Sequence, residues 1–250
     1  VGRNLQDHLQ TRLMYKVGKP ITTNDDLRSL WGRTRIALQW LLWRTGPLAI
    51  GINQGALFAR VQPDATRPDV QFHFGTLSAD LAGAKPHPWS GTTFSVCQLR
   101  PRSRGSVLAR CASVLEAPAI QPNYLSAAED RQVAIAAVRL ARRLARSRAL
   151  RPYLIEEYRP GPDCGDSDDD LLDFVRNHAA TIFHPVGTCR MGNDAAAVVD
   201  SRLRVRGIDG LRVIDASIMP TLPSGNTHIP TVMIGERGAD FLLQDHKDSP

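Results

Sequence analysis

Two of the seven histidines stand where proton transfer would suit them. His184 lies in Ile182-Phe-His-Pro-Val-Gly-Thr-Cys-Arg-Met-Gly192. Pro185 holds the residue before it extended rather than helical, and Gly187 and Gly192 let the backbone approach another surface closely. His228 lies in Pro223-Ser-Gly-Asn-Thr-His-Ile-Pro-Thr-Val232, just ahead of a helix that Pro230 can open at its first position. The positive end of that helix disfavours imidazolium, so the ring stays neutral near pH 7 and can accept a proton. Two hydrogen-bonded histidines in ordinary loops would explain the same residue types. The other five, His8, His73, His87, His178 and His246, have no comparable setting and read as structural or solvent-facing. No H-x-x-H or H-x-x-x-H spacing occurs, so no metal site is expected.

Other reactive groups give less. Cys97, Cys111, Cys164 and Cys189 lie 14, 53 and 25 residues apart. That is neither a zinc spacing nor the density of a disulfide scaffold, so isolated thiols are expected. The chain holds no G-x-G-x-x-G and no G-x-x-x-x-G-K-[ST], which excludes a phosphate cradle of either kind.

These groups must be positioned by a mixture of helices and strands. Residues 28–44 carry Leu30, Trp31, Ile36, Leu38, Trp40, Leu41 and Trp43, a helix ending at the Gly46-Pro47 breaker. Val70-Gln-Phe-His-Phe74 alternates as a half-buried strand does. Thr93–Leu99 and Ser106–Cys111 read as strands joined in a hairpin by Arg100-Pro-Arg-Ser-Arg-Gly105. Ser126-Ala-Ala-Glu129 has the form of a capping box. Behind it Val133, Ala136, Ala137, Leu140 and Leu144 repeat at helical spacing, with Arg139, Arg142, Arg143 and Arg146 on the other side. Residues 158–170 form a loop whose closing acidic run suits the start of a helix over 168–179. Arg202–Arg206 and Leu211–Ile214 read as strands about a Gly207–Gly210 turn, and a last helix runs from Pro230 to about Leu243. Helix and strand do not alternate in the βαβ manner, so the fold class is α+β with antiparallel strands.

The composition agrees with a folded domain. Of 250 residues, 42% are hydrophobic and 22% charged, which excludes a disordered or collagen-like chain. The formal charge is +6, a sign that bears on solubility and steering only. Nucleic acid is not an expected partner, because the arginines of 139–148 have the spacing of one solvated helix face without aromatics for stacking. The longest strongly apolar run, Ile36–Trp43, is too short to span a bilayer. The first residues lack the charged and apolar stretches of a signal peptide, and cytoplasmic is expected over secreted.

Several motifs in order then resemble one family. Val1-Gly-Arg-Asn-Leu-Gln-Asp-His8 is similar to a G-x-N-L-x-D-H segment. Arg67–Phe74 and Leu99–Gly105 resemble substrate-domain strands, and Pro122-Asn-Tyr-Leu125 the lead-in to a long helix. His184-Pro-Val-Gly-Thr-Cys-Arg-Met-Gly192 and Leu211-Arg-Val-Ile-Asp-Ala-Ser-Ile-Met-Pro220 resemble its C-terminal signature. The family is that of the glucose–methanol–choline (GMC) flavoprotein oxidoreductases, in particular the choline dehydrogenase-like and primary-alcohol dehydrogenase branch. The resemblance covers nearly all of the chain.

The resemblance implies FAD-dependent oxidation of a primary alcohol, choline-like or aliphatic, by hydride transfer to flavin N5. The family's catalytic pair is a His followed by a His or Asn; His184 and, 44 residues on, His228 match those positions. His184 is then the base and His228 its partner on the alcohol oxygen. Asp215 and Ala216 match a stretch touching FAD, and Asn226, Thr227, Ile229 and Thr231 one that passes the isoalloxazine. Asn4 and Asp7-His8 match a segment laid near the flavin as a lid, where a structural role is at least equally open; Asp215 has the alternative of capping the next turn. By the same resemblance residues 1–12 are a flavin lid or linker, 13–178 an antiparallel-sheet substrate-binding domain with flanking helices, and 179–250 a return to the FAD-binding domain. The family's N-terminal Rossmann-like unit with its glycine-rich loop is absent, so the chain is expected to be part of a longer enzyme and inactive alone. Two other readings stay open: a non-catalytic fragment or binding remnant, and a GMC-fold lyase that keeps its flavin without redox turnover.

Overall fold

The structure, a computed structural model, describes residues 1–81 and 83–247. In chain order it runs β1 (Arg3–Leu5), β2 (Leu9–Val17), α1 (Thr23–Arg28), α2 (Leu30–Trp43), β3 (Asn53–Ala59), β4 (Val70–Gly75), β5 (Gly91–Gln98), β6 (Gly105–Leu108) and β7 (Ala119–Gln121). There follow α3 (Ala128–Ala145), β8 (Leu154–Arg159), α4 (Asp168–His178), β9 (Ala180–Thr181), a 3-10 turn at Ala216–Ile218, and α5 (His228–Lys247). The α+β class stands, and every pairing among β1–β8 is antiparallel.

The chain divides into two compact units, one of residues 10–98 and 132–180, the other of 1–9, 99–131 and 181 onward. The segment 99–131, expected within the span 13–178, therefore clusters with the two ends of the chain.

In the first unit the sheet order is β3-β4-β5-β2-β8. The register places Leu13, Phe72 and Phe94 on one face, all buried, with Tyr15 and Phe94 in edge contact. The opposite face pairs Arg12 with Ser95 and His73 with Ser95. Here the polar members of the alternation are buried as well: Gln71 and His73 are within hydrogen-bond distance at 3.1 Å, so His73 is a buried polar group. Burial of both faces is what an alternating pattern alone does not announce.

Helix α3 buries Val133, Val138 and Ala141, as its period requires. Arg142 departs from the expected solvated face. It is 5% exposed, and its guanidinium clamps Glu157 of β8, Asp166 and the carbonyls of Cys164 and Gly165 at 2.7–3.2 Å. Tyr15 donates to the same Glu157 at 3.0 Å. Helix α4 begins where the acidic run does, with Ser167 accepting the Asp170 N–H at 3.1 Å. Helix α2 forms over its apolar residues yet buries only Gly32 and Ile36, leaving Leu30, Trp31, Leu38, Leu41 and Leu42 exposed.

The second unit holds the sheet β1-β6-β7. β5 and β6 therefore do not form the expected hairpin. The Asp130 carboxylate accepts the N–H groups of Arg102 and Ser103, each at 2.8 Å, and so holds the connecting segment against the start of α3. That helix begins at Ala128, two residues beyond Ser126. The strands expected at 202–206 and 211–214 are reduced to bridge pairs, Arg204 with Arg212 and Val199 with Val205. The core of this unit is Val186, Val199, Leu203, Ile218, Met219, Leu222, Ile234 and Phe241, each burial stabilising by about 1.5–3 kcal/mol.

Candidate active site

All of the candidate site lies in the second unit. Residues 2–8 form a strap along residues 184–188. Gly2 donates its N–H to the Thr188 carbonyl at 2.8 Å, and Gln6 and Val186 exchange backbone bonds at 3.0 and 2.9 Å. The Gln6 side chain donates to the Pro220 carbonyl and accepts the Leu222 N–H. Asn4, itself at φ +67°, donates to the carbonyls of Gly187 and Pro220 and accepts from Arg104.

This close approach explains Gly187. Its φ is +92°, and a Cβ would stand 2.6 Å from the Asn4 carbonyl oxygen. Gly187→Ala is expected to destabilise the protein by about 1–3 kcal/mol, measured as a lower denaturant midpoint with unchanged slope. A midpoint equal to that of the parent would contradict the strap.

The strap ends on His184. Asp7 Oδ1 accepts the His184 backbone N–H at 2.9 Å, while its Oδ2 takes the hydroxyls of Tyr124 and Thr181, each at 2.5 Å. Burial, and then the bond to the Asp7 carboxylate, push the Tyr124 hydroxyl well above its usual range. His184 is buried and its ring stands edge-on to His8, with the two Nδ1 atoms 2.9 Å apart. His8 is fully buried, its Nε2 3.1 Å from the Leu99 carbonyl oxygen. His8 was expected only as a structural residue or part of the lid segment with Asp7; its contact with His184 is what the structure adds.

The other candidates gather at the start of α5 and in the turn before it. His228 is the first residue of α5 and is exposed, as are Asn226 and Ile229, whereas Thr227 is buried. The Thr227 carbonyl accepts both the N–H and the hydroxyl of Thr231. Asp215 Oδ1 accepts the Ser217 N–H at 2.7 Å and so caps the 3-10 turn that Ala216 opens. Both groups hang on the same core, through Val186 beyond His184, Ile218 and Met219 beyond Ala216, and Ile234 beyond His228. A buried histidine whose backbone and ring are both hydrogen-bonded is held in place well enough to exchange a proton with a ligand.

Comparison with known proteins identifies the family. Residues 101–235, more than half of the chain, match the family model described as GMC oxidoreductase. The oxygen-dependent choline dehydrogenases of Brucella canis and Escherichia coli are 38% and 39% identical over 97% of the chain, which spans 44% and 43% of their length. Among solved structures, formate oxidase of Aspergillus oryzae superposes with a TM-score of 0.90 at 26% identity, over 99% of this chain and 48% of that one. Pyridoxine 4-oxidase of Mesorbium loti gives 0.77 at 28%, over 96% and 43%. The chain thus spans less than half the length of the relatives it matches. It belongs to the GMC oxidoreductase family and corresponds to that family's C-terminal region.

Proposed function

We propose that the intact enzyme carrying this chain oxidises a primary alcohol, choline-like or aliphatic, to the aldehyde, with FAD as cofactor and His184 as the base. The observation that carries this reading is the double hold on His184, by Asp7 on its backbone and by His8 on its ring. A group fixed at both points meets the positional demand of general base catalysis. The choline-like substrate class draws further support from the names of the Brucella and Escherichia relatives.

The residues present fit the cofactor. A flavin needs an apolar surface with polar groups at its edge and positive potential where negative charge arrives. Ile229, Val232 and Met233 lie at helical spacing on one exposed face of α5, and Asn226 stands exposed beside its first turn. The dipole of this 20-residue helix supplies the potential. Asp215, Ala216, Asn226, Thr227, Ile229 and Thr231 are the residues that would hold the group; Asn4 acts through the strap. When bound, FAD supplies the acceptor for the hydrogen that leaves the alcohol carbon with its electron pair.

The chain's own part is the proton. His184 takes it from the hydroxyl as negative charge grows on oxygen, and His228 orients that oxygen from the start of α5. The unit of residues 10–98 and 132–180 is the substrate-binding part in this reading. The test is to mix FAD-loaded enzyme anaerobically with a series of primary alcohols. Loss of the flavin visible band with one aldehyde formed per flavin supports the reading. A flavin band unchanged by every alcohol would remove it, and cyanohydrin cleavage under those conditions would favour the lyase instead.

A further inference from the structure

We propose that His8 is a positioning residue that sets the tautomer of His184, so that Nε2 of His184 is the atom that accepts the proton. This rests on the reading of His184 as the base.

The argument needs only donors and acceptors. A backbone carbonyl oxygen accepts and cannot donate. His8 Nε2, 3.1 Å from the Leu99 carbonyl oxygen, therefore carries a hydrogen. A neutral His8 then has its lone pair on Nδ1. That atom lies 2.9 Å from His184 Nδ1, so the hydrogen between them belongs to His184. A neutral His184 protonated on Nδ1 has its lone pair on Nε2. The opposite order would need His8 protonated on both nitrogens, a cation on a ring with no solvent exposure, which is costly. The chain from Leu99 carbonyl to His8 to His184 thus runs in one direction.

The same bond serves after proton uptake. The His184 imidazolium keeps its Nδ1–H directed at His8 Nδ1, and a hydrogen bond to the charged form stabilises it. The other titratable groups on this segment are Asp7, which takes the His184 N–H, and Tyr124, which donates to Asp7. Neither touches the ring nitrogens through these bonds, and the contact shown at His184 Nδ1 is the one from His8. Outer partners that orient a histidine in this way are worth about 10–100-fold in function at metal sites, and a loss of that order is expected here.

The test is nitrogen-15 NMR of histidine-labelled, FAD-loaded intact enzyme, with the His184 signals assigned by their loss in His184→Asn. The expected wild-type spectrum shows His184 protonated on Nδ1 with a pyridine-type Nε2. His8→Phe fills the space without an acceptor; it should mix the tautomers, lower kcat/KM about 10–100-fold, and move the rising limb of its pH profile to lower pH. His8→Asn, whose amide oxygen replaces Nδ1 as acceptor, should restore both the tautomer and most of the rate. A wild-type His184 protonated on Nε2 would overturn the inference, even should His8→Phe fail to fold. So would a His8→Phe enzyme with unchanged tautomer and pH limb. Failure of the base reading looks different: full turnover in His184→Ala, whatever the spectrum.

Discussion

Replacing His184 by alanine in the intact enzyme is expected to lower kcat/KM for alcohol oxidation by about two to four powers of ten, with FAD content close to that of the parent. The magnitude is that of a positioned acid–base group, because the alcohol must lose its hydroxyl proton as its carbon–hydrogen bond breaks. Retention of cofactor follows from where the side chain points. The ring of His184 meets His8, whereas the backbone bonds of the segment (Asp7 to His184, Gln6 to Val186, Gly2 to Thr188) do not depend on it. Steady-state kinetics together with the flavin-to-protein absorbance ratio checks both halves. A parallel loss of flavin and rate would make His184 a structural residue; an unchanged rate would remove it from the chemistry.

The largest stability effect is expected at Arg142. Arg142→Ala should cost about 3–5 kcal/mol, the usual consequence of stranding a buried charge. At about 2–4 °C per kcal/mol for a chain of this size, that is a fall in Tm on the order of 10 °C. Every donor of this guanidinium is engaged, on Glu157, Asp166 and two carbonyls. Glu157 would keep only the Tyr15 hydroxyl among these partners, and its side chain is 19% exposed. Arg143→Ala, one residue away and exposed, should fall within about 0.5 kcal/mol of the parent. Thermal unfolding of the two variants side by side decides the matter, and equal Tm values would contradict the buried role.

Arg142 also marks where the sequence stopped being readable. Four arginines at helical spacing look alike on a helical wheel, and only the arrival of Glu157 and Asp166 from later in the chain selects one of them for burial. Helix α4 was legible because its signals are local, with Ser167 as cap and three aspartates in the first turn. Strand β8, Leu-Ile-Glu-Glu-Tyr-Arg, was not, because its acidic residues serve Lys16, Tyr15 and Arg142 across the fold. The hairpin expected at 100–105 did not form although its turn residues were present: Asp130, from the start of α3, accepts the Arg102 and Ser103 N–H groups, and β5 and β6 join different sheets.

The candidate site divides in the same way. His184 and His228 stood out through neighbouring proline and glycine residues, which are local. His8 did not, since its partner is 176 residues away and nothing in its spacing encodes the contact. Asp7 and His8 gain their meaning only when the strap is laid against residues 184–188.

The central claim is that His184 takes the alcohol proton, and the most direct measurement is the rate of anaerobic flavin bleaching against pH, in the parent and in His184→Ala. The parent is expected to bleach faster as pH rises through a single ionisation, because only the neutral ring accepts a proton. The variant should be slower by at least two powers of ten and lack that limb. The same limb at the same pH in both enzymes would contradict the account and place the base elsewhere.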